Sequence, residues 1–210
     1  MKLLALTDFH GSYDKLPAIL KKAGEVDATL VAGDLTDFGP AAKAKEVLGR
    51  LPRPLLAVPG NCDPKDTVDV LRAEGCNLHE NKLRLGEVTF VGIGGANPTP
   101  FNTPFELSED EIAGALERLL HGVSGTAVLL SHAPPKGAQD EIPGGIHVGS
   151  TAVAQFAPHF SAIICGHIHE AKGISHLGRT LVVNPGMAAD GNAAILEIDG
   201  KGHASAILLE

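Results

Sequence analysis

Six short apolar runs, at residues 3–6, 28–32, 55–58, 88–93, 127–130 and 162–165, end in small or polar residues and have the length of buried strands. Helical spacing fills most of the gaps between them. From 12 to 24, Leu16, Ile19, Leu20 and Ala23 share one face, and from 40 to 51 Ala44, Val47, Leu48 and Leu51 do likewise, which predicts two crossover helices. The plainest helix start is Ser108, which pairs with Glu111 as a capping box ahead of an apolar stripe at Ile112, Ala115, Leu116, Leu119 and Leu120. Another helix is expected to start near Ser150 and stop at Pro158. Beyond residue 170 the helical period is lost, and runs at 173–177, 181–183, 193–198 and 204–208 predict antiparallel strands. Units of βα followed by strands predict an α/β fold. Two mixed β-sheets would pack as a sandwich flanked by helices, one sheet from the first part of the chain and the other from its tail.

A single domain over 1–210 is expected, since no repeat or linker interrupts the pattern. Two connections exceed what a connector needs. The 94–107 segment is proline-rich and carries Phe101 and Phe105; the 132–149 segment contains three prolines and four glycines. Loops of this length in a compact domain are usually functional lids or disordered.

Composition narrows the function. With 44% hydrophobic and 20% charged residues among 210, the chain buries a core without disulfide staples. Cys62, Cys76 and Cys165 are odd in number and lack C-x-x-C spacing, which suits free thiols in a reducing compartment. The first apolar run turns polar at Thr7-Asp8, too soon for a signal peptide or membrane span, so a cytoplasmic location with no membrane partner is expected. A net charge of -8 without any Lys/Arg cluster opposes binding to long duplex nucleic acid. An anionic substrate would need bound cations to attract it.

Residues able to ligate such cations follow the predicted strands. Asp8 and His10 come after the first, Asp34 after the second, Asn61 after the third, His132 after 128–130, and His167 with His169 after 163–165. In an open α/β sheet the carboxyl ends of the strands line one crevice. Carboxylate, amide oxygen and imidazole together suit Mn, Fe, Co, Ni or Zn, and seven donors exceed the needs of one ion. Two ions about 3.5 to 4 Å apart, sharing a carboxylate and holding a hydroxide between them, would form a hydrolytic centre.

These motifs resemble the calcineurin-like metallophosphoesterases: Asp8-x-His10, Gly33-Asp34-x-x-Asp37, Gly60-Asn61-x-Asp63, His132 and Gly166-His167-x-His169 stand in that family's order. The resemblance implies Asp8, His10 and His169 on one metal, Asn61, His132 and His167 on the other, and Asp34 between them. It also implies a β-sandwich flanked by helices and a metal-dependent phosphoric ester hydrolase, with manganese first among the metals. Many members carry histidine after the asparagine as a proton donor to the leaving alcohol. Here that position is Cys62, and the Gly-Asn-Cys-Asp form resembles a branch of small bacterial and archaeal phosphodiesterases. Diesters or activated esters of small organic or nucleotide phosphates are therefore expected over alkyl monoesters. His147, just ahead of Ser150, is the candidate replacement donor, and Asn61, His147 and Ser150 are candidate substrate contacts, Ser150 by capping a helix whose free N–H groups can hold an anion. Asp37 and Asp63 are read as outer partners or turn formers. Phe101 and Phe105 are expected to stack on a base or aryl leaving group, to pack the loop, or to form a homo-oligomer contact. The rival readings are a non-catalytic scaffold of this fold, as in the retromer subunit of the family, and a nuclease.

Overall fold

Successive side chains of the first strand, β1 (Lys2–Leu6), enter different cores: Leu3 and Ala5 meet a second sheet, whereas Leu4 and Leu6 meet helices. The computed structural model describes residues 1–210. Burial on both faces recurs in the strands at 28–32, 55–58 and 126–131, which is why they read as unbroken apolar runs.

In chain order the remaining elements are α1 (Leu16–Ala23), β2 (Ala28–Ala32), α2 (Ala44–Leu48), β3 (Leu55–Val58), α3 (Thr67–Ala73), β4 (Asn81–Leu85), β5 (Val88–Ile93), α4 (Glu109–Leu120), β6 (Thr126–Ser131), β7 (Glu141–Ile142), β8 (Ile146–His147), α5 (Thr151–Phe156), β9 (Ala162–Ile164), β10 (Gly173–Leu177), β11 (Thr180–Asn184), β12 (Ala193–Ile198) and β13 (Ala204–Leu209). One sheet has the order β13-β12-β1-β2-β3 and the other β10-β11-β9-β6-β5-β4. Between them lie Leu30, Val58, Phe90, Leu130 and Ile164. Helices α1 to α3 cover the outer face of the first sheet through residues such as Ile19, Val47 and Leu71, and α4 and α5 cover the second through Ile112, Leu116 and Val153. The result is a four-layer αββα sandwich with mixed sheets. No helix is long and apolar enough to cross a membrane.

The expected division of the sheets is corrected. The tail does not form the second sheet by itself: β10 and β11 join β4, β5, β6 and β9, whereas β12 and β13 return to extend the sheet of β1. Turn residues 185–192 carry the chain from one sheet to the other. Two elements lie outside the expected pattern. Strand β4 is an edge that exposes four of its five residues and so lacks the apolar signature, and α3 buries only Thr67, Val68 and Leu71. Helix α1 starts at Leu16 with Pro17 in its first turn. The capping box at Ser108 is present, with Glu111 N–H donating to Ser108 Oγ at 3.2 Å and Ser108 N–H to Glu111 Oε2 at 2.7 Å.

Parallel pairing sets the site. Leu6 is in register with Val31, Ala32 with Val58, and Leu130 with Ile164, so the loops after β1, β2, β3, β6 and β9 leave one edge of the sandwich together.

Candidate metal centre

Asp8, His10, Asp34 and His167 all take left-handed backbone conformations, with φ of 54°, 45°, 49° and 69°. Such φ values are uncommon outside glycine and persist where surrounding contacts enforce them. Here the loops are stitched together: Asp8 N–H donates to the Gly33 carbonyl, Phe9 and His10 N–H to that of Asp34, and Gly166 N–H to that of His132. Two motif glycines serve close approach. A methyl group at Gly60 would strike Asp34, and one at Gly166 would strike Thr7 and the Asp8 carboxylate.

The donor atoms converge. His10 Nε2 and His169 Nε2 lie 3.2 Å apart, and Asp8 Oδ1 is 3.7 and 3.4 Å from them. Asp8 Oδ1 is buried and has no hydrogen-bond donor, while Oδ2 of the same carboxylate is met by the Thr7 hydroxyl at 2.9 Å and by His167 N–H at 3.2 Å. Asp34 Oδ2 stands 3.6 Å from His10 Nε2 and 3.4 Å from His132 Nε2; its other oxygen accepts Cys62 N–H at 2.8 Å. On the far side His132 Nε2 faces Asn61 Oδ1 at 2.8 Å, and the His167 ring lies 5.2 Å from that of His132.

Lone pairs therefore outnumber protons. His132 Nδ1 lies 2.7 Å from the Ala32 carbonyl, so this fully buried ring meets an acceptor at each nitrogen. A neutral imidazole has one N–H, leaving one contact that a second proton or a metal cation would resolve. The electrostatics agree. Burial opposes charge on His132, yet Asp34 lifts it to about 9, and the same imidazole together with His10 holds Asp34 well below the usual carboxylate range against its own burial. Burial and the neighbouring His132 push His167 down to about 4, so it offers a neutral nitrogen at physiological pH. Donor groups for a metal ion form at Asp8, His10 and His169 and at Asp8, Asp34 and His132. The residues fit divalent cations, with a buried acceptor lacking any donor as the direct sign.

Supporting residues fall into place around these. Asp63 accepts four donors: Leu35 N–H at 3.1 Å, Thr36 N–H at 2.8 Å, Thr36 Oγ–H at 2.9 Å and Gly60 N–H at 2.8 Å. It ties the Asp34 loop to the Asn61 loop, while Asp37 lies at the surface. Asn184 Nδ2 donates at 2.8 Å to the Ile168 carbonyl, holding the backbone between His167 and His169. Cys62, read from sequence as standing where the family's proton donor usually stands, places Sγ within 4.8 Å of donor atoms of His10 and Asp34; burial and the Asp34 charge keep its thiol protonated.

His147 and Ser150 do not join the convergence. His147 Nδ1 is held at 2.7 Å by the buried carboxylate of Asp140, its side chain 43% exposed. Ser150 caps α5 by accepting Val153 N–H at 3.1 Å, and the free N–H groups of Thr151 and Ala152 already meet the Glu109 carboxylate at 3.0 and 2.8 Å. An anion from this protein thus occupies the helix end. Phe105 is buried edge-on to His79, whereas Phe101 is 81% exposed.

Residues 1–171 match the family model of the calcineurin-like phosphoesterases. The chain belongs to that family. It is 38% identical over 195 residues to an uncharacterized protein of Methanocaldococcus jannaschii, covering 88% of each. Among solved structures it is similar to TT1561 of Thermus thermophilus, with a TM-score of 0.68 at 20% identity over 98% of this chain and 97% of that one. It is also similar to a 5'-nucleotidase precursor from the same organism, with a TM-score of 0.59 at 16% identity over 100% of this chain and 54% of that one. At these identities the structural likeness establishes the fold alone.

Proposed function

We propose that the protein is a dinuclear metal-dependent phosphoesterase acting on diesters or activated esters of small organic or nucleotide phosphates. The observation that carries this reading is Asp8 Oδ1, buried without a donor and facing His10 and His169, beside Asp34 Oδ2 shared between His10 and His132. Asp8, His10 and His169 would hold one ion, and Asn61, His132 and His167 the other, with Asp34 common to both. Manganese is the first candidate, ahead of iron, cobalt, nickel and zinc. Bound divalent ions supply Lewis acidity, activating water and drawing charge from phosphoryl oxygens.

The chain's own groups do the rest. Thr7 Oγ and His167 N–H orient the Asp8 carboxylate, Cys62 N–H orients that of Asp34, and Asp63 sets the spacing of the two loops. Asn61 directs its oxygen inward and leaves Nδ2, whose neighbour is Cys62 Sγ at 3.7 Å, for a phosphoryl oxygen. The Cys62 thiol is a weak acid in this setting, which favours substrates whose leaving group departs without a proton. His147 remains the proton-donor candidate because Asp140 holds Nδ1 and leaves Nε2 free; donation would need the β7–β8 hairpin to turn that ring to the leaving oxygen.

The test is a screen of metal-stripped protein, reconstituted with each of the five metals, against cyclic nucleotides, bis-p-nitrophenyl phosphate, p-nitrophenyl phosphate and short oligonucleotides. Metal-dependent turnover highest on the diesters is expected. Silence with every metal would refute the reading and leave the non-catalytic scaffold.

A further inference from the structure

A cleft of about 600 Å³ opens beside His167, within the size range of small-molecule sites. Its walls come from the two long loops: Phe101, Pro98 and Pro100 from one, Ile142 and Val148 from the hairpin region of the other. Hydrogen bonds tie these loops to each other and within themselves. Asn97 Nδ2 donates to the Val148 carbonyl at 3.1 Å, joining one loop to the other. The Glu106 carboxylate accepts Thr99 Oγ–H at 2.7 Å, Thr103 N–H at 2.8 Å and Thr103 Oγ–H at 2.7 Å, clamping the turn that presents Phe101. No lysine or arginine lines the cleft, and its one charged residue is Glu170.

We infer that this cleft is the organic-group subsite and that it selects phosphoesters bearing a neutral, planar aromatic group, a nucleobase or an aryl ring, with Phe101 as the stacking residue. The inference deepens the phosphoesterase reading and rests on it. Three features point to this occupant. His167 belongs to both the metal centre and the cleft wall, so a group in the cleft is continuous with a phosphorus atom at the metals. Apolar walls with an exposed phenylalanine favour a π-face, which every nucleobase and aryl ring provides. A lining that carries Glu170 and no cation disfavours a second phosphate, a phosphate chain or a carboxylate. Phe101 is the specificity residue; Glu106 is a positioning residue acting through Thr99 and Thr103.

Two measurements on the full chain separate this inference from the reading beneath it. In metal-free protein, saturation-transfer NMR would compare adenosine 5'-monophosphate, phenylphosphonate, 4-carboxyphenylphosphonate and methylphosphonate. Transfer is expected to the nucleobase and phenyl protons and not to methylphosphonate or the carboxylated ring; Phe101→Ala should cut it severalfold, Phe101→Trp preserve it, and Glu170→Lys admit the carboxylated ring. A larger signal from the nucleotide than from the phenyl probe identifies a nucleobase as the better occupant, and the reverse an aryl group. In manganese-loaded protein, Phe101→Ala should lower kcat/KM about tenfold, through KM, for p-nitrophenyl esters of thymidine 5'-phosphate and phenylphosphonic acid, and Phe101→Trp should restore it. Because Phe101 is exposed, its truncation does not threaten the fold. Equal transfer to all probes, or signals indifferent to Phe101, overturns the subsite. Intact NMR contrast without turnover would instead refute the phosphoesterase reading and support the cleft as a binding site.

Discussion

Asn61 Oδ1 lies 2.8 Å from His132 Nε2, an acceptor placed against a ring whose other nitrogen already faces a carbonyl. A cation relieves this contact, so the pair should be essential to one of two metal sites. Reconstituted wild-type protein is expected to hold two manganese ions per chain and Asn61→Ala one, read by elemental analysis after desalting. A variant that retains the wild-type stoichiometry would remove Asn61 from the ligand set.

Asp63 is surrounded by donors, and exchanging its carboxylate for an amide turns an NH2 group towards N–H and O–H partners. Asp63→Asn should destabilise the metal-free protein by about 1–3 kcal/mol, the scale of a buried polar group left without its partner. The urea midpoint measures it. Unchanged stability would show that these bonds do not hold the two loops.

His79 is buried, accepts Gly94 N–H at Nδ1 at 2.8 Å, and is pushed down by burial to about 4. Its folded pKa lies below the unfolded value near 6.5, so the unfolded chain takes up a proton that the folded one refuses. The stability this contributes is present above about pH 6.5 and is lost as pH falls towards about 4, by up to about 3 kcal/mol. Wild-type protein should lose denaturation resistance over this window more steeply than His79→Gln. Parallel curves would place the acid sensitivity elsewhere.

Cys62→His would set an imidazole where a protonated thiol now stands near His10 and Asp34. An imidazole gives up a proton near neutral pH, which helps a poor leaving alkoxide more than an activated one. The ratio of adenosine 5'-monophosphate turnover, with its alkoxide leaving group, to p-nitrophenyl phosphate turnover should rise severalfold. A constant ratio counts against cysteine as the determinant of ester preference.

What the sequence reveals and conceals follows from distance along the chain. The seven candidate ligands are legible because each sits just beyond a strand whose both faces are apolar, a pattern written in consecutive residues. The motif glycines are visible too, but the reason for Gly166 is Thr7 and Asp8 in another strand's loop. Ser150 reads as free to hold an anion because Glu109, which fills that helix end, is 41 positions away. Likewise nothing local distinguishes β11 from β12, neighbours in sequence that join different sheets. Strand β4 hides for a different reason: an edge strand with four residues exposed and the fifth only half-buried carries no apolar rhythm.

The return of β12 to β1 governs how the molecule assembles in time. Lys2 is in register with Glu197, and Leu4 with Ile195, so β1, synthesised long before β12, keeps one open flank until that later strand has emerged. Until then β1 presents the unpaired backbone of a strongly apolar strand, a template for joining other nascent copies. Residues 1–171, which include all seven candidate ligands, would therefore carry the chemistry without the means to shield it. Strands β12 and β13 contribute none of the seven candidate ligands; what they supply is the pairing that closes that flank of β1.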